Sequence, residues 1–211
     1  MVLPAVLLAG AYLIGSIPFS WLIVRISRNI DIRSVGSGNV GATNVLRNAG
    51  KGAGILALLL DALKGWAVVF MAVVVTGSAH WPFGVDGATA IDSPSFWVGL
   101  AALVVVVGHM FPVWLRFRGG KGVATGAGAY LGIDPLALLF TLLTFLGVVT
   151  ATRYISIGSM AAAAVFPLFL RFLTGGTTWQ IVFSVLIGIL VIVKHHTNVA
   201  RILSGEERKF P

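Results

Sequence analysis

Leu131-Gly132-Ile133-Asp134-Pro135-Leu136-Ala137 lies inside an apolar run over residues 123–150, and its reading decides how many helices the chain builds. Unbroken, the run would be one long membrane span. Asp134 places a charge in it, and the residue before a proline is turned away from helical backbone. The run therefore divides into a short helix of small residues at about 122–131 and a second helix at about 135–150. Arg153 follows the second piece, which puts that end on the basic, cytoplasmic side. The first piece is short for a bilayer core and needs neighbours to shield it.

Composition sets the surroundings. Of 211 residues, 57% are hydrophobic and 10% charged, against about 25% charged in a soluble domain. The chain reads as an all-α integral membrane protein, one domain over residues 1–211. The N-terminus has no basic segment before its apolar run, so it reads as a first span and not as a cleaved signal. The net charge of +8 marks cytoplasmic loops and suits membrane lipids or phosphorylated substrates as partners. Its basic residues are spread over short loops, a pattern unsuited to nucleic acid. Without cysteine there is no thiol chemistry and no disulfide.

Outward from the Asp134-Pro135 break, the spans fall in order. Residues 2–24 form the first, kinked at Pro18, with Arg25, Arg28 and Arg33 following on the inner side. The second, 53–76, carries Asp61 and Lys64, three apart on one helix face. Charges in a span are costly, and a self-neutralising packing pair is preferred here to a support for an anion site. Residues 77–93 contain Asp86 and Asp92 but no Lys or Arg, as an outside loop would, and His80 reads as an exposed loop histidine. Residues 96–107 form the third span, 157–173 the sixth and 179–193 the seventh, with Arg171 an exception to the charge rule. The result is a seven-helix transmembrane bundle with its N-terminus outside, its C-terminus cytoplasmic and every basic motif on one face. A six-span reading would put the last motif opposite the others.

Three loops carry the chemistry. Ser34 to Arg47 is dense in glycine, hydroxyls and amides, has no carboxylate and ends in an arginine. It reads as a phosphate cradle, with an ordinary flexible loop as the alternative. Arg116, Arg118 and Lys121 surround the Gly119-Gly120 turn. The spacing is wrong for an ATP-binding P-loop, but it sets a lysine at a helix N-terminus, where an anion is favoured. His109, just before that turn, reads as a packed histidine. The third loop is His195-His196-Thr197-Asn198, running into a short amphipathic helix. Adjacent histidines without a third ligand do not make a metal site. Arg153 to Ser159 adds hydroxyls on the same face.

Gly36-Ser37-Gly38-Asn39-Val40-Gly41-Ala42-Thr43-Asn44-Val45-Leu46-Arg47, Gly108-His109-Met110-Phe111-Pro112 with Gly119-Gly120-Lys121-Gly122-Val123-Ala124-Thr125, and His195-His196-Thr197-Asn198 with Arg201-Ile202-Leu203-Ser204-Gly205 together resemble the motifs of the PlsY family. These are bacterial acyl-phosphate:glycerol-3-phosphate acyltransferases. Asp61 to Gly65 and Arg153 to Ser156 also fit, so the resemblance runs along the whole chain. His196 and Thr197 stand where the family often has Arg and Glu.

The resemblance implies a seven-helix enzyme of the bacterial inner membrane, working at the cytoplasmic face without metal or organic cofactor. It would move a fatty acyl group from acyl phosphate to the sn-1 hydroxyl of glycerol 3-phosphate, giving lysophosphatidic acid and phosphate, the first acylation of phospholipid synthesis. By chemistry and resemblance together, Ser37, Lys121, His195 and Asn198 are the expected catalytic residues. Ser37, Arg47 and Lys121 would grip phosphate with help from the backbone N–H groups of Gly38 and Gly120. Asn39, Thr43 and Asn44 would complete the cradle, while Ser159, His195 and Asn198 would orient glycerol 3-phosphate. The proton of the attacking hydroxyl would go to His195 or to the acyl phosphate itself. Ser37 has no neighbouring base and acid in sequence, so direct transfer is expected over an acyl-enzyme. A monomer is expected. The competing class is a small anion transporter, but such a protein would place its polar groups at the midplane.

Overall fold

The computed structural model describes residues 2–77 and 93–210, with side chains from Ala5 onward. His80, Asp86 and Asp92 lie outside the described residues. Ten α-helices and two 3-10 turns make up the regular structure among those described. The helices are α1 Val2–Ser16, α2 Phe19–Arg28, α3 Ala42–Ala49, α4 Lys51–Thr76, α5 Pro94–Met110, α6 Val123–Ile133, α7 Pro135–Thr152, α8 Ile155–Phe172, α9 Thr178–Lys194 and α10 His196–Leu203.

The division at Asp134-Pro135 stands. Asp134 has extended backbone, and its carboxylate accepts a hydrogen bond of 2.8 Å from Ala137 N–H, so it caps the helix that Pro135 begins. α6 has 11 residues, a rise of about 16 Å against a hydrocarbon core of about 30 Å. It survives by being enclosed, most extensively by α4. A Cβ on Gly128 would stand 1.8 Å from the Ala62 carbonyl oxygen, so glycine lets the two backbones touch. Tyr130 of α6 stacks on Phe166 of α8 at 3.6 Å and donates to the Ser184 carbonyl of α9 at 3.0 Å. These contacts hold α6 in place, and with it the turn that precedes it.

Among the described residues five stretches are long and apolar enough to cross a membrane, or six if α9 and α10, bent by 46°, count as one. Leu56, Leu59 and Leu63 on α4 and Leu139, Leu143 and Leu146 on α7 are exposed, an apolar surface that only lipid would solvate. The buried face of α4 is a stripe through Ala57, Asp61, Lys64 and Val68 at helical spacing.

The expected kink at Pro18 is a full break between α1 and α2. It takes the Ile17 carbonyl out of the helical ladder, and that oxygen accepts from Phe19 N–H at 3.1 Å and from the Lys64 ammonium at 2.9 Å. Lys64 also pairs with Asp61 at 2.8 Å and stands 3.0 Å from the His109 ring, while Ser20 Oγ donates to Asp61 at 3.2 Å. The intramembrane charges thus form one buried cluster tying α1, α2, α4 and α5 together. Asp61, Lys64 and His109 are paired with one another and buried within it.

Candidate active site

The first loop, between α2 and α3, is folded around Asn44. This buried side chain donates to the carbonyls of Ile32, Val35 and Asn39 at 3.1–3.2 Å. Its Oδ1 accepts from the Ser37 N–H at 3.1 Å and from Asn48 Nδ2 at 2.9 Å. Asn44 therefore has no amide hydrogen left for a ligand; its part is to shape the cradle. Ser37 stands exposed on that frame, with Asn39 and Thr43 half-buried beside it. Arg47 projects from α3 and donates to the Arg208 carbonyl at 3.3 Å, which brings the C-terminal tail over the loop.

The second loop folds back on the end of α5. Gly119 N–H donates to the Met110 carbonyl and Gly120 N–H to the His109 carbonyl, each at 3.2 Å. Gly120 is wedged between the two loops: a Cβ there would meet the His109 ring at 2.2 Å and the Val40 carbonyl oxygen at 2.5 Å. The expectation that Gly38 and Gly120 lend N–H groups to phosphate needs correction. Gly38 N–H is spent on the Val35 carbonyl at 3.1 Å, and Gly120 N–H on His109. The available amides lie one step further on. The first bond within α6 runs from Gly126 N–H to the Gly122 carbonyl, and no side chain caps the helix start. The N–H groups of Val123, Ala124 and Thr125 are thus the orphan donors of the first turn, immediately after Lys121.

Lys121 Nζ donates to Asn198 Oδ1 across the site. Asn198 Nδ2 in turn donates to Glu207 Oε1 at 2.5 Å. Ser156 Oγ donates to the same oxygen at 3.0 Å, and Arg201 Nε to Oε2 at 2.8 Å. Burial works against the Glu207 charge, but the hydrogen bonds from Arg201, Asn198 and Ser156 outweigh it and hold the carboxyl below its ordinary pKa. Burial, then the nearby Arg201 charge, lower Lys121 to about 8 despite the pull of Glu207. Glu207 is the residue that sequence reasoning missed. It reads there as one of two adjacent acids in a basic tail, and only the return of the tail to α8 and α10 reveals its partners.

His195 sits at the bend between α9 and α10 and is buried. Its Nδ1 lies 2.7 Å from the Val191 carbonyl. A carbonyl only accepts, so Nδ1 carries the proton and Nε2 keeps its lone pair in the neutral ring. Ser159 is buried on α8, one turn from Ser156, with its hydroxyl donating to the Ile155 carbonyl at 2.8 Å. The tail is tied down further by Phe210 N–H donating to the Arg153 carbonyl at 2.7 Å. Among the described residues no group of three or more His, Asp or Glu could hold a metal ion.

Hydroxyls, amides and cations drawn from distant loops, beside helices with exposed apolar surfaces, define a membrane protein with a polar, cation-bearing cluster suited to an anion. The family model described as glycerol-3-phosphate acyltransferase matches residues 5–205. The chain belongs to that family. It is 40% identical over 203 residues to the glycerol-3-phosphate acyltransferase of Desulforamulus reducens, covering 96% of this chain and 93% of that one. With the Trichlorobacter lovleyi enzyme of the same name the identity is 44%, covering 96% and 95%. Its fold matches the crystal structure of PlsY (YgiH), an integral membrane glycerol 3-phosphate acyltransferase, in its glycerol 3-phosphate form. The TM-score is 0.86 at 38% identity, covering 99% of this chain and 96% of the other. The lysophosphatidic acid form of that protein gives 0.83 at 36% identity, covering 99% and 95%. An enzyme family, and not a transporter family, accounts for the chain along its length.

Proposed function

We propose that this acyltransferase uses acyl phosphate as donor and transfers the acyl group directly to the sn-1 hydroxyl of glycerol 3-phosphate. The reading is supported by the hydrogen-bonded line Lys121–Asn198–Glu207, which joins a neutral amide to a cation close in sequence to the orphan N–H groups that open α6. Lys121 and Arg47, with the Ser37 hydroxyl, neutralise and hold the phosphates. His195 Nε2, Ser159 and Asn198 orient the acceptor.

In the chemical step the acceptor hydroxyl oxygen bonds to the acyl carbonyl carbon, and the bond from that carbon to the phosphate oxygen breaks. The hydroxyl proton passes to His195 Nε2 or to an oxygen of the departing phosphate. Phosphate is already a good leaving group, so the protein chiefly supplies position, for which about 7–11 kcal/mol is available. Oxyanion donors add roughly 3–4 kcal/mol each. No acyl-serine is required: Ser37 has neither a base nor an orienting acid among its hydrogen-bond partners.

The bundle is read with α1–α2, α4, α5, α6, α7, α8 and α9 as its seven membrane helices. The N-terminus is outside, and the three loops face the cytoplasm at the bacterial inner membrane. The enzyme is read as a monomer acting without metal or cofactor.

The test is purified protein in detergent with acyl phosphate and labelled glycerol 3-phosphate. Labelled lysophosphatidic acid should form with one phosphate released per acyl group. Product from acyl-CoA alone, or a trapped acyl-serine adduct, would overturn the donor or the direct route. Replacing His195 by alanine and following kcat against pH separates the two proton acceptors, since near-normal turnover would remove His195 as base.

A further inference from the structure

On the second loop, apart from Lys121, the molecule carries a further basic surface. An open groove of about 980 Å³ runs along the second loop as far as Gly119. Lys121, His195 and Asn198 do not line it, and it meets the first loop at Arg33 and Gly38. Its walls are Trp114, Arg116, Phe117, Arg118 and Lys194, with Arg33, held by Asp31 at 2.6 Å, on the first-loop side. Among the described residues, neither Arg116 nor Arg118 has a carboxylate within ion-pairing distance.

The backbone adds an independent observation. Arg116 and Phe117 are consecutive non-glycine residues with φ of 53° and 61°. The left-handed region costs a residue with a Cβ roughly 1–2 kcal/mol, and glycine would remove that cost. The turn nevertheless presents a guanidinium and an aromatic ring there, a combination found where side chains serve a site. Trp114 and Phe117 are 63% and 58% exposed. Trp114 lies at the end of the apolar stretch Pro94–Leu115 and Phe117 two residues past it, positions where aromatic rings meet headgroups.

We infer that this groove binds the phosphate headgroup of an anionic phospholipid of the surrounding membrane, separately from the substrates. Guanidinium forks match a phosphate diester, and exposed rings beside them would rest among acyl chains. The volume fits a glycerophosphate headgroup and falls within the range of small-molecule sites, about 300–1,000 Å³. Bulk phosphate would use the cations and leave the aromatic wall without a role.

Native mass spectrometry of the full chain, released from neutral detergent with phosphatidylglycerol or phosphatidylcholine of equal chain length, tests this. Wild type should retain phosphatidylglycerol over phosphatidylcholine by at least about tenfold, given the attraction of anionic lipid for each nearby basic residue. The double variant Arg116→Gln, Arg118→Gln should fall to near parity while still acylating glycerol 3-phosphate in phosphatidylcholine. Trp114→Ser, which leaves every charge in place, should weaken retention of both lipids. The proposal is overturned if wild type holds the two lipids equally or if the double variant keeps its preference. It is equally overturned if millimolar inorganic phosphate displaces the lipid, which would make this a free-anion site. Loss of acyl transfer in phosphatidylcholine would place the groove within the catalytic site and end its separate role.

Discussion

Lys121 and Asn198, 77 positions apart in sequence, share a hydrogen bond, and Glu207 holds Asn198 in the orientation that makes it. An acceptor behind the Asn198 nitrogen selects the flip state that turns its oxygen toward Lys121. Glu207 is that acceptor, and Ser156 and Arg201 fix its carboxylate. Glu207→Gln keeps the shape but loses the charge, and its own NH2 must face one of the three donors. A hydrogen bond to a charged group contributes about 1.5–3 kcal/mol. We expect kcat/KM for glycerol 3-phosphate to fall about 10- to 100-fold, and the thermal midpoint in detergent to drop. Glu206→Gln, at an exposed neighbour, should change neither. Equal effects from the two substitutions would show that tail charge, and not the Asn198 contact, is what matters.

The titration of Lys121 gives a pH dependence with a definite sign. Its ammonium is charged below about 8 and loses the proton as pH rises through that value. Phosphate binding should therefore be intact at lower pH and weaken above it. Since kcat/KM reports the free enzyme, it should decline about tenfold per pH unit well above 8 on this account. A bound phosphate holds the proton on Lys121, so the corresponding limb of kcat should lie at higher pH. Coincident limbs in the two profiles would point to another group. Lys121→Arg should remove the limb from kcat/KM, even with a lower absolute rate, because guanidinium does not titrate in this range.

Much of this was legible from local chemistry. Asp134-Pro135 announced a helix boundary because the cap and the proline are neighbours in sequence. The Asp61–Lys64 pair was legible because i,i+3 spacing places both on one face. What escaped depends on approach across the chain. Pro18 signalled a kink, but nothing near it shows that Lys64, 47 positions on from Ile17, would donate to the Ile17 carbonyl. Asn44 looked like another ligand donor, since its type is the same whether it faces a phosphate or three carbonyls. Gly38 and Gly120 offered N–H groups on paper, and only the folded turns show them spent. Glu207 had no sequence pattern to separate it from Glu206.

Asn44 should behave as a scaffold, not a ligand. Asn44→Ala removes the two N–H donors shared among three carbonyls of the first loop, each hydrogen bond worth about 1 kcal/mol net. Asn44→Asp turns a second oxygen toward carbonyls that need a donor and should be at least as damaging. Both variants should retain their helical circular dichroism, lose most acyl transfer and show faster amide hydrogen exchange confined to residues 34–41. A variant that lost activity with loop exchange unchanged would return Asn44 to the substrate-contacting set.

The seat of α6 makes a paired test of why so short a helix holds its place. At Gly128 an added Cβ would stand 1.8 Å from the Ala62 carbonyl oxygen, a backbone atom of α4 that cannot swing aside. At Gly126, half a turn away, the nearest atom would be a methyl group of Ile187 at 3.8 Å, ordinary contact. Forcing volume into a tight seam costs about 1–3 kcal/mol or more, whereas replacing a mid-helix glycine with alanine gains about 0.5–1 kcal/mol where space allows. Gly128→Ala should therefore lower the thermal midpoint and, by tilting α6, move Lys121 away from Asn198 and reduce kcat. Gly126→Ala should leave activity intact and the midpoint unchanged or slightly higher. If the two alanines behaved alike, close backbone contact between α4 and α6 would not be what positions the phosphate-binding turn.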